Sequence, residues 1–361
     1  MNRNPGLVVS FFVVTILFVM AGVVSADDRW VEVAPSAAGT PPTVDLESTA
    51  SGVVLEVDLA GFFIEERLVN GTDYSLLKVP GCGAKGALGE PHMPFRTVLV
   101  PIPNGPSVDM RVETTSSRTA LMGVTVLPEQ APVPECGASA PDFIIDDKTY
   151  ATDAWFPSRA ARIAHDAVVR GQRFLVVEVS PLAFNPILHE VATRDHLTIR
   201  IDLHGEVDAA AEARKAERHS LHFPTLAELD GLPAPDLNPS GIEYLIIADD
   251  PLVAAVQPLA EWKRKKGFTV EIVAMSTIGT TAAELKTFIH NRYDTDPDLT
   301  YVLLVGDHPA VPSELISGHV TDLYYSCADG TDYFPDIVMG RIAVSTPTDC
   351  ENVVDKILTF D

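Results

Sequence analysis

Two polar segments in the last third of the 361-residue chain carry the side chains best suited to chemistry. Gly306-Asp307-His308 follows an apolar run with the character of a strand, and the longer segment 321–336, here called the acidic segment, leads into the next such run. In a parallel sheet the ligand site lies outside the carboxyl ends of the strands. We therefore expect both segments to contribute to one site at the carboxyl ends of the strands, here called the carboxyl edge.

Carboxylates dominate the acidic segment and the residues after it. Eight acidic residues stand in the range 321–361 against two basic ones, Arg341 and Lys356. Asp329 and Asp332 are our candidate metal ligands, and calcium is the ion that such oxygen donors suit. The order of ligands is not that of an EF-hand. A segment that binds a cationic side chain, or one that binds nothing, is therefore the alternative.

A thiol and two imidazoles lie near the acidic segment in sequence. Cys327 with His308 or His319 would supply a nucleophile and a proton donor, the pair used in covalent hydrolysis. However, neighbouring carboxylates raise the pKa of a thiol and disfavour the reactive thiolate. We therefore expect Cys327 to be unreactive or to form a disulfide.

The elements that must position these side chains alternate between strand and helix from residue 242 onward. Alternation of this kind predicts a right-handed parallel sheet covered by helices. Thr281 and Glu284 form a capping box before one helix, and Pro258 is expected to kink or restart another. The predicted strands are 244–248, 268–274, 301–305 and 337–344. The predicted helices are 251–266, 281–293 and 346–361.

Residues 51–206 have a different pattern, with short β-branched runs separated by Gly, Pro and Asn and almost no helical periodicity. Several short strands with turn signals and no intervening helices predict an antiparallel β-sandwich-like domain. The predicted strands are 53–57, 97–102, 123–127, 174–179 and 197–203.

Three further segments complete the organisation. Residues 1–26 have a basic start, an apolar stretch and a small-residue cleavage site, which predict a signal peptide; an uncleaved anchor helix is the alternative. Residues 27–50, rich in Pro, Ala, Ser and Thr, predict a flexible lead-in. Residues 207–241 predict an exposed connector before the domain at 242–361.

The predicted connector also contains candidate sites for proteolysis. Basic residues in an exposed linker are accessible to a trypsin-like protease. The candidate cleavage points are Arg214, Lys215 and Arg218.

Composition limits the classes of function. The chain has 26 Lys and Arg against 50 Asp and Glu, a net charge of −24, and 46% hydrophobic residues. Such a surface repels phosphate backbones, so we expect no nucleic-acid partner. No apolar stretch beyond the first 26 residues approaches the length that spans a bilayer. We expect a secreted or cell-surface, extracytoplasmic protein without a stable membrane span.

Ordered sequence blocks connect both parts of the chain to one known family. In the second part they are residues 244–248, 259–268, 285–293, 304–307, 321–325, 332–336 and 340–341. In the first part they are 89–94, 100–103, 171–181 and 185–186. Through these blocks the chain resembles the pro-region and the first part of the catalytic region of the gingipain-type cysteine peptidases.

The resemblance implies a caspase-like α/β fold after the connector and a secreted zymogen kept latent by an intramolecular pro-domain. It also implies hydrolysis of a peptide or protein substrate by a Cys nucleophile with a His acid/base, with no required cofactor. No His-Gly pair occurs within 241–361. We therefore expect the dyad downstream of residue 361 and this chain alone to be inactive. The acid that orients the imidazole maps to Asp336, with Asp332 as the second choice.

A non-catalytic secreted or cell-surface binding protein on the same folds is the alternative function. A longer reading frame distinguishes the two, because the enzyme needs a His-Gly pair followed by a Cys at a strand end. A nucleotide-binding domain is disfavoured, since no glycine-rich phosphate loop follows Ala248.

Overall fold

The computed structural model describes residues 28–49, 51–132, 141–218, 243–316 and 318–360. The predicted signal peptide, Cys136 and most of the predicted connector lie outside these ranges. Within them, no helix combines the length and the apolar character needed to cross a membrane.

The described residues up to 204 form three antiparallel sheets. Their strands are β1 (Arg29–Glu32), β2 (Thr43–Thr49), β3 (Gly52–Asp58), β4 (Gly61–Val69), β5 (Thr72–Lys78), β6 (Gly83–Lys85), β7 (Met93–Pro101), β8 (Ser107–Met122), β9 (Ala161–Val169), β10 (Gln172–Val179), β11 (Leu182–Asn185) and β12 (Glu190–His204), with the short helix α1 (Asp147–Tyr150) before β9. The strand orders are β1-β4-β5, β6-β7-β10-β9 and β11-β12-β3-β2, and β8 pairs with β12.

The two larger sheets pack face to face around one apolar core. Leu55 on β3 and Ile199 on β12 meet Val100 on β7 and Leu175 on β10, and all four are fully buried. Alternate residues of each strand point into this core, as in a β-sandwich. The predicted antiparallel sandwich is therefore confirmed.

Two predictions for this region are wrong. The lead-in 27–50 contains β1 and β2, which pair with β4 and β3. Prolines before β2 concealed its alternating Val44 and Leu46. The predicted strand 123–127 forms only an isolated bridge from Val126 to Ser75, because its backbone hydrogen bonds are divided among Ser75, His92 and His189.

Helix α2 (Ala209–Glu217) occupies the start of the predicted connector. Arg214 is exposed but lies within this helix, and Lys215 is paired with Glu212 at 3.0 Å. Arg218 is only 7% exposed. The exposure expected for Arg218 as a cleavage point is therefore wrong, and a protease would have to displace it from its packing.

The second part is an α/β unit. Its elements are β13 (Glu243–Ala248), α3 (Val253–Lys265), β14 (Thr269–Ala274), α4 (Ala282–Thr295), β15 (Leu299–Val305), β16 (Glu314–Ile316), β17 (His319–Thr321), α5 (Leu323–Ser326), β18 (Val338–Ile342) and α6 (Pro347–Phe360). The sheet order is β14-β13-β15-β18, all neighbours are parallel, and β16 and β17 form a separate hairpin. The predicted parallel sheet is confirmed.

Helices cover both faces of this sheet. Helices α3 and α6 pack on one face around Val256 and Leu259, and α4 and α5 pack on the other around Ile289 and Tyr325. Helix α3 continues through Pro258 without interruption. The predicted capping box is present, since the Thr281 side chain accepts the Glu284 amide and the Glu284 carboxylate accepts the Thr281 amide.

Candidate functional site

At the carboxyl ends of the parallel strands, Arg341 on β18 ties neighbouring loops together. Its Nε and Nη2 donate to the Asp322 carboxylate at 2.7 and 2.8 Å, and its Nη1 donates to the carbonyls of Gly306 and Val311 at 2.8 and 2.9 Å. Burial acts to raise the pKa of Asp322, but hydrogen bonds from Arg341 and Ser313 outweigh it, so this pKa lies below its ordinary value. Arg341 thus fixes the loop after β15 against the start of the acidic segment.

Gly306-Asp307-His308 lies at this edge, as predicted. Gly306 has a φ of +141°, and a Cβ there would lie 2.7 Å from a methyl carbon of Val311. Only glycine suits such a position. Asp307 and His308 are exposed, and the Asp307 carboxylate accepts the His308 amide at 2.8 Å. The carboxyl edge is therefore an open, polar surface.

The rest of the acidic segment lies at the other end of the parallel strands, where the strands begin. Because β18 runs parallel to β15, the chain must return to the amino ends of the strands before β18 can start. Strand β15 has seven residues, so the two edges are roughly 20 Å apart. The expectation that the whole segment joins Gly306-Asp307-His308 is therefore wrong beyond its first residues.

Asp336 is completely buried at this amino end. One carboxylate oxygen accepts the Arg170 amide at 2.7 Å, and the other accepts the amides of Ala328 and Asp329 at 2.7 and 2.8 Å. Burial raises the pKa of Asp336 to about 7, although these hydrogen bonds act in the opposite direction. The orienting role stays a prediction, and this geometry gives it no support, because both oxygens are occupied far from the carboxyl edge.

Asp329 and Asp332 lie beside Asp336 and face the same strand pair, β9 and β10, of the amino-terminal domain. Asp329 accepts the Gly171 amide at 2.7 Å and the Tyr293 hydroxyl at 2.9 Å. Asp332 accepts the Val168 amide at 2.9 Å through one oxygen and the Phe334 amide at 2.8 Å through the other. Asp329, Asp332 and Asp336, the three predicted site residues, therefore each accept one backbone amide of the amino-terminal domain.

Nothing in the described ranges resembles a metal centre, since they contain no group of three or more His, Cys, Asp or Glu residues arranged around a common point. One oxygen of Asp329 and both oxygens of Asp332 accept hydrogen bonds from N–H and O–H groups. Calcium binding by these two residues stays a prediction. Of the alternatives, the structure shows the acidic segment next to a cationic side chain, Arg170.

Sequence reasoning missed three residues that complete this region: Arg170, Arg218 and Tyr293. Tyr293 is fully buried, and the Arg218 guanidinium lies 3.7 Å from the centre of its ring. Arg170 is 5% exposed. The contacts join residues far apart in sequence, so the hydrophobic periodicity of the sequence does not predict them. The one available signal was an Arg-Gly pair shortly before the predicted strand 174–179, in an otherwise acidic chain.

The structure gives the local dyad a shared cleft for one of its histidines, but the raised pKa of the Cys327 thiol counts against it. His319 and Cys327 line the same open cleft of about 560 Å³, together with Lys286 and Tyr324. His308 lies at the carboxyl edge instead. Burial raises the pKa of the Cys327 thiol, and the charges of Asp336 and Asp332 raise it further. The described cysteines, Cys82, Cys327 and Cys350, are free thiols.

Cys327 should therefore react slowly with an alkylating reagent. At about pH 7 we expect iodoacetamide to modify Cys327 at least about tenfold more slowly in the folded chain than in concentrated guanidinium, because only the thiolate reacts. Peptide mapping by mass spectrometry would give both rates, with the buried Cys350 as an internal reference. Faster modification in the folded chain would mean an activated thiol and would revive the local dyad.

Comparison with protein families gives two matches. Residues 37–219 match the family described as Propeptide_C25, and residues 237–361 match Peptidase family C25. The gap between the two matches, residues 220–236, lies within the predicted connector, and the matches cover most of the two folded parts described above.

Individual relatives agree with these matches. Lys-gingipain of Porphyromonas gingivalis is 25% identical over 316 residues, which are 81% of this chain and 18% of the relative. Gingipain R2 of the same organism is 22% identical over 273 residues, 70% of this chain and 36% of the relative. The chain thus spans well under half the length of these relatives. A solved chain of gingipain K from P. gingivalis, studied for its zymogenic latency, has 16% identity and a TM-score of 0.43, covering 50% of this chain and 100% of that one.

Proposed function

Because the chain belongs to the family described as Propeptide_C25 and its second part matches Peptidase family C25, we propose that it is the amino-terminal part of a secreted cysteine endopeptidase precursor. The observation that carries the proposal is the order of the two family matches, the propeptide first and the peptidase region after it. The structure supports it with two separately folded parts that are hydrogen-bonded to each other.

The chemistry proposed for the whole protein is cleavage of a peptide bond by a thiolate. The thiolate attacks the carbonyl carbon, and an imidazole protonates the leaving amine. Both groups are proposed to follow residue 361. The residues described here contribute the scaffold, and Arg341 holds the polar loops at the carboxyl edge, where parallel sheets bind their ligands. Peptides or proteins are the proposed substrates.

A longer reading frame tests the proposal. We expect the extended precursor, after removal of its pro-domain, to hydrolyse a denatured protein such as casein, whereas residues 1–361 alone should not. Replacing the downstream Cys that follows a His-Gly pair by Ala should lower the rate by roughly 10⁴-fold or more. The matched control is Cys327→Ser, which should leave the rate unchanged.

Two results would contradict the proposal. An extended frame without a His-Gly pair and a later Cys would favour the non-catalytic binding protein. Hydrolysis by residues 1–361 that disappears in Cys327→Ser would place the nucleophile in the acidic segment instead.

A further inference from the structure

The amino ends of the parallel strands form a surface on which one turn of the pro-domain rests. Strands β9 and β10 pair through Val169 and Gln172, so Arg170 and Gly171 form a two-residue turn between them. Both have positive φ, +48° and +77°. Such a turn matches the twist of a hairpin, and Gly is common in it, whereas Arg at positive φ is uncommon. The unusual residue is therefore the one to explain.

The turn presents its amides to three carboxylates. The amides of Val168, Arg170 and Gly171 donate to Asp332, Asp336 and Asp329, respectively, at 2.7 to 2.9 Å. The strand ladder of a two-residue hairpin does not use the amides of the two central residues, so these amides can donate to oxygens outside the hairpin.

The arginine side chain enters the same surface. Its guanidinium donates to the carbonyls of Leu299, Asp336 and Pro297 at 2.8, 3.1 and 3.2 Å. A planar guanidinium has five N–H donors, which suits several carbonyls at once, whereas a lysine ammonium has three on one atom. The carbonyl oxygens of this surface therefore match the planar arrangement of the N–H donors of an arginine.

Aromatic side chains complete the contact. The Arg170 guanidinium carbon lies 5.9 Å from the centre of the Tyr293 ring, within the range of a cation–π interaction. The Phe334 ring packs edge-on against Phe174 of β10, with 5.2 Å between the ring centres. Phe334 thus adds apolar area to a contact that is otherwise polar.

We propose that this surface, formed by Tyr293, Asp329, Asp332, Asp336 and the carbonyls of Pro297 and Leu299, is a recognition site for an arginine-tipped β-turn. The pro-domain occupies it with Arg170-Gly171. The site lies roughly 20 Å from the carboxyl edge, the length of a seven-residue strand. It therefore holds the pro-domain by a contact at the amino ends of the strands, opposite to the carboxyl edge. The inference concerns binding and does not depend on hydrolysis.

The test uses the full chain with a specific protease sequence inserted between Asp230 and Gly231. After cutting, the two pieces should still co-elute on gel filtration.

Arg170→Ala should raise the dissociation constant of the pieces by at least about 100-fold, through the loss of several hydrogen bonds. Arg170→Lys, which keeps the charge, should raise it by about tenfold. The matched control is Arg162→Ala on β9, whose side chain is 49% exposed; it should change little.

A peptide competition keeps the proposal testable if Arg170→Ala does not fold, which circular dichroism would reveal. A cyclic peptide with the sequence of residues 166–175 should release the amino-terminal piece of the unmodified cut chain. The same peptide with Ala in place of Arg170 should need at least about tenfold higher concentration for the same release. Unmodified pieces that separate on cutting, a folded Arg170→Ala with unchanged affinity, equal potency of the peptides, or no release by either would overturn the proposal.

Discussion

Between about pH 5 and pH 8, the free energy of unfolding of the wild type should fall by about 2 to 3 kcal/mol more than that of the Asp336→Asn variant. Burial raises the pKa of Asp336 to about 7 in the folded chain, against an ordinary value near 3.9 in the unfolded chain. Between these two values the folded chain binds the proton and the unfolded chain does not. The free energy of unfolding contributed by this group is therefore largest at low pH and is lost as the pH rises to about 7.

Urea unfolding followed by circular dichroism at several pH values would give both curves. The exposed Glu47→Gln is the matched control for the loss of one carboxylate. Glu47→Gln should run parallel to the wild type, while the curve of Asp336→Asn should be flatter across this range. Parallel curves for wild type and Asp336→Asn would show that Asp336 does not take up a proton in this range.

Much of the fold followed from the sequence because strong local signals agreed with the final packing. The apolar runs that became β13 and β15 were long and β-branched, and the Thr281 and Glu284 capping box marked the start of α4 to the residue. Patterns of this kind act within one element and depend little on distant contacts. In the second part the boundaries shifted by at most two residues, as with β18, which is shorter than predicted, whereas β12 begins seven residues earlier than predicted.

The location of the acidic carboxylates was predictable in principle. Asp336 directly precedes a strand that had been predicted as parallel, and such a residue must lie at the amino end of the sheet. The error came from treating the acidic segment as one loop at one edge. In the structure only Asp322 stays at the carboxyl edge, paired with Arg341, and the segment then crosses the sheet.

Contacts between the two parts of the chain could not be predicted from local patterns. Arg170 meets Leu299 across 129 positions, and Arg218 meets Tyr293 across 75. Charge alone suggested that a cation or a cationic side chain would sit near the acidic segment. It could not distinguish calcium from an arginine of the same chain, because both complement carboxylates and carbonyl oxygens.

The second large effect is expected for Arg341→Met, which should lower the free energy of unfolding by about 3 kcal/mol. The side chains of Arg341 and Asp322 are 14% and 25% exposed, so this pair is largely withdrawn from water. Removing the guanidinium leaves the Asp322 carboxylate without its main partner and frees the carbonyls of Gly306 and Val311. Methionine keeps much of the side-chain volume, which separates this effect from that of a cavity.

A double-mutant cycle distinguishes the ion pair from packing. Adding Asp322→Asn to Arg341→Met should recover at least about 1 kcal/mol, because the uncompensated charge is then gone. The exposed Arg111→Ala, which breaks a surface pair with Asp202, is the control and should cost at most about 1 kcal/mol. If the two changes at 341 and 322 were simply additive, Arg341 would act through packing alone. Coupling between them would instead establish that the charged pair holds the polar loops at the carboxyl edge.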